Sequence, residues 1–169
     1  LTVRRTVALS RAVYEGNAQV EEMLGVLVKD QAGAEQVMAE GNIAVMVDET
    51  ASCRAWFRPD VIVDAILAKR NLGTKITDAP FVMGVGPGFT AGADCNCVVE
   101  TKRGHTLGNI IRRGSALPNT GVPGNVAGYT IERLIRAGAD GILEPKAQIG
   151  DYVEKGSVVA VTGGVPVYA

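Results

Sequence analysis

The sequence predicts an α/β fold, with a partly parallel sheet that contains a βαβ unit, followed by a small all-β segment at the C-terminus. Two observations predict it. Continuous apolar runs at residues 24–28 and 43–47 flank a stretch of helical period, and beyond residue 129 the chain turns to short apolar runs cut by glycines. The boundary is placed there, giving an α/β domain over residues 1–129 and a β domain over 130–169.

Each element has its own signal. Residues 24–28 form an apolar run of strand length that leaves through Lys29 and Asp30. A helix follows over 31–40, with Ala34, Val37 and Met38 at helical spacing and Gly41 in the place of a C-terminal glycine. A helix between two fully apolar strands requires a parallel pair. Pro59 and Asp60 introduce a third strand at 61–63, and Phe81–Val85 is a fourth. The sequence Gly84-Val85-Gly86-Pro87-Gly88 ends that strand in a turn, because a proline among glycines cannot continue a ladder. Two short strands at 97–101 and 109–112 bracket Lys102-Arg103-Gly104-His105 as a hairpin. Residues 114–128 are a long Gly/Pro/Asn/Ser-rich loop. Ile131, Leu134 and Ile135 share a helical face over 130–136, and short strands occupy 139–159.

Composition excludes several functional classes. Seventeen basic against 18 acidic side chains give a net charge of −1, which leaves no electrostatic footprint for nucleic acid or an anionic membrane. No apolar run approaches the roughly 20 residues of a membrane span. Three cysteines, Cys53, Cys95 and Cys97, are an odd count without a secretory signal, which points to the cytoplasm and against a disulfide framework. With 47% apolar residues and a mean hydropathy of +0.16, the chain can bury a core.

Five blocks in order carry a resemblance to a known family: Val3-Arg4-Arg5-Thr6-Val7 with Ala12-Val13-Tyr14-Glu15-Gly16; residues 59–74 from Pro59-Asp60 to Gly73-Thr74; Gly84-Val85-Gly86-Pro87-Gly88-Phe89-Thr90-Ala91-Gly92; Val99-Glu100-Thr101-Lys102-Arg103-Gly104-His105-Thr106-Leu107-Gly108; and Gly114-Ser115-Ala116-Leu117-Pro118-Asn119-Thr120-Gly121-Val122-Pro123-Gly124. The set resembles the YqeB family, named for its association with selenium-dependent molybdenum hydroxylases. The resemblance implies an accessory role in hydroxylase maturation, with the hydroxylase as partner and a molybdopterin-type cofactor, a nucleotide, or a selenium or sulfur donor as ligand. It also implies that family members begin upstream with a Rossmann-like strand and glycine-rich turn, and continue past Ala169 with the rest of the small β domain. The present chain, which opens on Leu1 rather than methionine, is therefore expected to be a fragment lacking both. A homo-oligomer is compatible with this reading.

Nine residues are candidates for a site. Gly84, Gly86 and Gly88 follow a strand, as a phosphate loop does, but Phe89 stands where the dinucleotide fingerprint needs a third glycine. They are either a tight turn or a nest of backbone N–H groups facing an anion. Glu100 and His105 are candidate acid–base groups of a hairpin tip, facing each other across the turn, with Arg103 to hold a phosphate or carboxylate. The alternative is a solvated tip. Asp64, Lys69 and Asn71 follow the third strand, where open α/β sheets bind ligands, or else lie on an ordinary polar loop. The strand-end loop and the hairpin tip are expected to form one anion-recognising site. Cys95 and Cys97 are read as buried thiols and no metal is assigned, because structural zinc sites need four ligands at wider spacing.

The last segment resembles half of a barrel-sandwich of the biotinyl/lipoyl type, carried by residues 150–160. Carrier domains present the modified lysine at the next hairpin, which here reads Thr162-Gly163-Gly164-Val165-Pro166. No biotin or lipoate is expected. Besides the accessory role, two other functions remain open: an enzyme acting on a nucleotide-like or pterin-like substrate through Glu100, Arg103 and His105, and a structural adaptor working through the β segment.

Overall fold

The computed structural model describes residues 8–148 and 150–169; the Val3–Val7 block and Ile149 lie outside them. The fold is mixed α/β, with several sheets, many short strands and few helices. The chain divides into two compact units, Leu1–Leu117 and Pro118–Ala169.

The expected βαβ unit is present in the first unit. Strand β2 (Met23–Val28) pairs in parallel with β3 (Ile43–Met46), and α2 (Gln31–Ala39) joins them. Both ends of α2 are fixed by local chemistry. Asp30 caps the start, its carboxylate accepting the Gly33 N–H at 2.9 Å. At the far end Gly41 takes φ +81°, so its N–H reaches the Met38 carbonyl and the Asn42 N–H reaches that of Val37, a Schellman closure. Val28, Ala34 and Val37 form the small core beneath. One strand was not foreseen: β1 (Asn17–Val20) pairs antiparallel with β2 through a tight turn at Glu21 and Glu22. A short helix, α1 (Ala12–Glu15), precedes it. Val47, read as strand, lies outside β3 and is 70% exposed.

The second sheet of this unit positions the candidate residues. Its order is β4 (Val61–Asp64), β5 (Phe81–Val85), β7 (Cys97–Val99), β8 (Ile110–Ile111). The first three strands are parallel and the last is antiparallel. A short helix, α3 (Arg54–Phe57), comes before β4. Strands alternate their sides, so Ile62, Val82, Val98 and Ile111 face one way and pack with Phe89, Ala91, Cys95 and Ala116 into the main core. Residues Val61, Val63, Phe81 and Ile110 belong to the other face and are exposed. Two-residue strands β6 (Thr90–Ala91) and β9 (Gly114–Ser115) pair antiparallel.

The second unit holds one antiparallel sheet, β10 (Leu143–Pro145), β11 (Val158–Thr162) and β12 (Val165–Tyr168). Gly163 and Gly164, both at positive φ, make the two-residue turn between β11 and β12. No closed barrel is found among the described residues. The helix expected over 130–136 is a single 3₁₀ turn, Ile131–Arg133, because Thr130 and Leu134 leave helical geometry on either side. Its apolar residues are left exposed, Ile131 and Ile135 each more than half so.

Candidate functional site

The carboxyl ends of three parallel strands share one edge of the second sheet. In register, Asp64 lies beside Gly84, and Val85 beside Val99. The loops that leave these ends are 65–80, which begins with the tightly hydrogen-bonded stretch 65–74, then 86–89 and 100–109. All nine sequence candidates sit at the ends of these strands or on these loops. Topology therefore gathers them, although they span 42 residues of sequence from Asp64 to His105.

Asp64, the last residue of β4, is buried and organises its own loop. One carboxylate oxygen accepts the Thr74 hydroxyl at 2.5 Å and the other the Ile66 N–H at 3.2 Å. Asn71 closes the same loop, accepting the Gly73 and Thr74 N–H groups at 2.8 Å each and donating to the Thr74 carbonyl at 2.8 Å. Between them Leu67 and Lys69 take left-handed backbone angles, φ +60° and +64°. Asp64 and Asn71 thus fix the loop's shape, while Lys69 and Arg70 stay exposed on it.

The three glycines are each explained by close approach. A Cβ on Gly84 would lie 2.5 Å from the Phe89 ring, which folds back over β5. A Cβ on Gly86 would lie 2.9 Å from Thr101 Oγ1, and one on Gly88 would lie 2.6–2.7 Å from the backbone of Arg70. Gly86 also gives its N–H to the Val99 carbonyl at 2.8 Å. That corrects one expectation: the Gly86 N–H is a rung between neighbouring strand ends and does not face an anion. The turn 86–88 is instead the seam where loops 65–74 and 100–109 meet.

Glu100 anchors the third loop. It is 3% exposed, and its carboxylate accepts three backbone N–H groups at 2.8 Å, those of Thr101, Lys102 and Leu117. The Leu117 N–H, then that of Lys102, hold the carboxyl below the ordinary carboxylate range. It does not face His105 across a tight turn. The connection is ten residues long, and its closing bonds run from the Glu100 N–H to the Asn109 carbonyl and from the Gly108 N–H to the Glu100 carbonyl. Arg103 and His105 lie exposed beyond it. Gly86 packs beside Thr101, and two residues of chain reach at most about 7 Å, so Arg103 falls within about 15 Å of Gly86.

The electrostatic outcome is one-sided. Lys69 and Arg70 on one loop and Lys102 and Arg103 on the other are exposed and flank the 86–88 turn. Among the described residues, none of the four has an acidic partner within ion-pair distance. The carboxylates at the strand ends, Asp64 and Glu100, are buried and hydrogen-bonded, and Asp78, farther along the β4–β5 connection, is paired with Arg54. Lys102 and Arg70 were missed in the sequence, where only Lys69 and Arg103 stood out; the signal available was the pairing of basic residues at 69–70 and 102–103.

Cys95 and Cys97 are buried free thiols, and burial pushes the Cys95 thiol up. Among the described residues, no group of three His, Cys, Asp or Glu side chains is placed to hold a metal ion. Among them also, no helix is long and apolar enough to cross a membrane.

No protein-family model matches the chain, and no solved structure matches it. Over 161 residues it is 47% identical to the uncharacterized protein YqeB of Escherichia coli (strain K12), an alignment covering 95% of this chain and 30% of that protein. The chain therefore spans less than a third of the length of this curated relative, to which it is similar along nearly all of its own.

Proposed function

We propose that this chain is a segment of a YqeB-family protein that binds a phosphate-bearing ligand of the nucleotide or molybdopterin class, in an accessory role to a cytoplasmic selenium-dependent molybdenum hydroxylase. The observation that carries the ligand reading is the charge arrangement at the sheet's carboxyl edge. Four exposed cations stand on two loops either side of a glycine turn, and both carboxylates at that edge are buried and occupied by N–H or O–H donors. Such an edge attracts anions and is where open α/β sheets take ligands. The hydroxylase partner rests on the family resemblance, as does the half barrel-sandwich character of the second unit, whose three strands would form part of that module. Glu100 is given no acid–base role in this reading, since it is buried and holds three backbone N–H groups; it shapes the loop that carries Arg103.

Calorimetric titration with pyrophosphate, a nucleoside triphosphate and a molybdopterin-type cofactor tests the ligand reading. A charge-assisted hydrogen bond contributes about 1.5–3 kcal/mol, so Arg103→Ala should weaken binding by about one to two powers of ten. Wild type giving no saturable heat with any of the three, or Arg103→Ala and Lys69→Ala both binding like wild type, would remove the proposal. Co-purification with a molybdenum hydroxylase tests the accessory role separately.

A further inference from the structure

The first sheet carries a cavity that none of the candidate residues above touches. It measures about 180 Å³. Val28 and Met46, the last residues of β2 and β3, line it with Met38 of α2, Trp56 and Phe57 of α3, and Cys53 just ahead of α3. Like the anion edge of the other sheet, it opens at the carboxyl end of a parallel pair. Its chemistry is the opposite. The lining carries no charged side chain, and the Cys53 thiol is held protonated, since burial and the nearby Asp48 carboxylate both push it up. Asp48 is itself engaged with the Cys53 N–H at 2.7 Å and the Ser52 hydroxyl at 3.1 Å. Two thioethers, a thiol and two aromatic rings that pack edge to face, 5.9 Å apart, make a polarizable wall suited to a ring's face and edge.

We propose that this cavity binds an uncharged monocyclic aromatic ring. The volume decides the ligand class: an apolar protein cavity of about 150 Å³ stays dry and admits benzene. Here the space is slightly larger and opens to solvent on one side, and its wall is apolar apart from the Cys53 thiol and the Trp56 indole, too few polar groups to hold a water molecule well. A charged ring would lose its hydration without compensation.

Trp56 is the chain's single tryptophan and lies in the wall, so its emission reports on the cavity alone. Toluene added to the purified protein should change that emission saturably, with a Kd on the order of 0.1–1 mM for about seven heavy atoms. Benzoate, of similar shape but charged, should produce no saturable change. Ala44 also lines the space, and Ala44→Leu should weaken toluene binding at least tenfold by filling it. If that variant fails to fold by circular dichroism, Cys53→Leu, at a half-buried position, supplies the same test. A shift of the ¹²⁹Xe resonance saturating with wild-type protein and absent in the filled variant gives a readout independent of fluorescence. Linear, unsaturable quenching by toluene, or equal toluene affinity in a folded filled variant, would overturn the proposal.

Discussion

Gly88 offers the most direct test of how the carboxyl edge is assembled. Its φ is +113°, and a Cβ there would lie 2.6 Å from Arg70 Cα and 2.7 Å from Arg70 N and C. Carbon atoms in ordinary contact sit about 3.5–4.0 Å apart, so alanine must move the 65–74 loop by close to 1 Å. Two costs combine. Holding an L-residue in that backbone region costs about 1–3 kcal/mol. Overpacking the seam adds about 1–3 kcal/mol, because the obstacle is backbone and cannot rotate away. Gly88→Ala should therefore destabilise by about 4 kcal/mol, the middle of the sum. Gly104 separates the two costs: it sits at φ +136° with nothing within 4 Å of its Cβ, so Gly104→Ala meets the backbone cost alone. Urea unfolding followed by circular dichroism should show Gly88→Ala less stable than Gly104→Ala by about 2 kcal/mol, roughly thirtyfold in the unfolding equilibrium. Trypsin should also cut sooner after Lys69 and Arg70 in the Gly88 variant. Equal destabilisation by the two substitutions, with no change in cleavage, would show that the two loops do not meet over this glycine.

Two further outcomes follow from local chemistry. Glu100 has a folded value below its unfolded one, so its stabilisation is complete above the unfolded carboxylate range and fades as pH falls through the folded value. Glu100→Gln, which sets an amide where three N–H groups need an acceptor, should lose about 1–3 kcal/mol at pH 7 and less at about pH 4, and a urea-midpoint gap that stays constant between those pH values would refute the anchoring role. Asp30→Ala removes the cap of α2 and should cost about 1 kcal/mol in the same assay; an unchanged midpoint would mean that the cap contributes nothing.

How far the fold could be read from the sequence depended on whether the signal was local. The α2 helix has all of its determinants within about twelve residues: an aspartate cap, apolar residues at helical spacing and a glycine that accepts φ +81°. Phe81–Val85 was equally clear, an apolar run stopped by Gly86 and Pro87. The β1 strand failed because Asn17-Ala18-Gln19-Val20 has a weak pattern and owes its conformation to the β2 edge it pairs with. The 130–136 segment failed the other way. Its apolar residues have helical spacing, but spacing yields a helix only where a surface exists to bury them, and three helical residues at Ile131–Arg133 are all that form.

The site was legible in position and not in role, for a reason specific to each residue type. Glycines after a strand signal that backbone must pass close to something, and sequence cannot say whether that is a phosphate or another loop. At Gly88 it is the backbone of Arg70, and at Gly86 the side chain of Thr101. Buried carboxylates carry the same ambiguity. Glu100 and Asp64 look alike as catalytic groups or as loop anchors until their partners are counted, and Glu100, 3% exposed, spends its carboxylate on three backbone N–H groups. The exposed cations are different: among the described residues Lys69, Arg70, Lys102 and Arg103 have no ion-pair partner, and they share one sign on adjoining loops. Once the carboxylates and glycines are assigned to building the edge, these four cations, together with the exposed His105, remain available to a ligand.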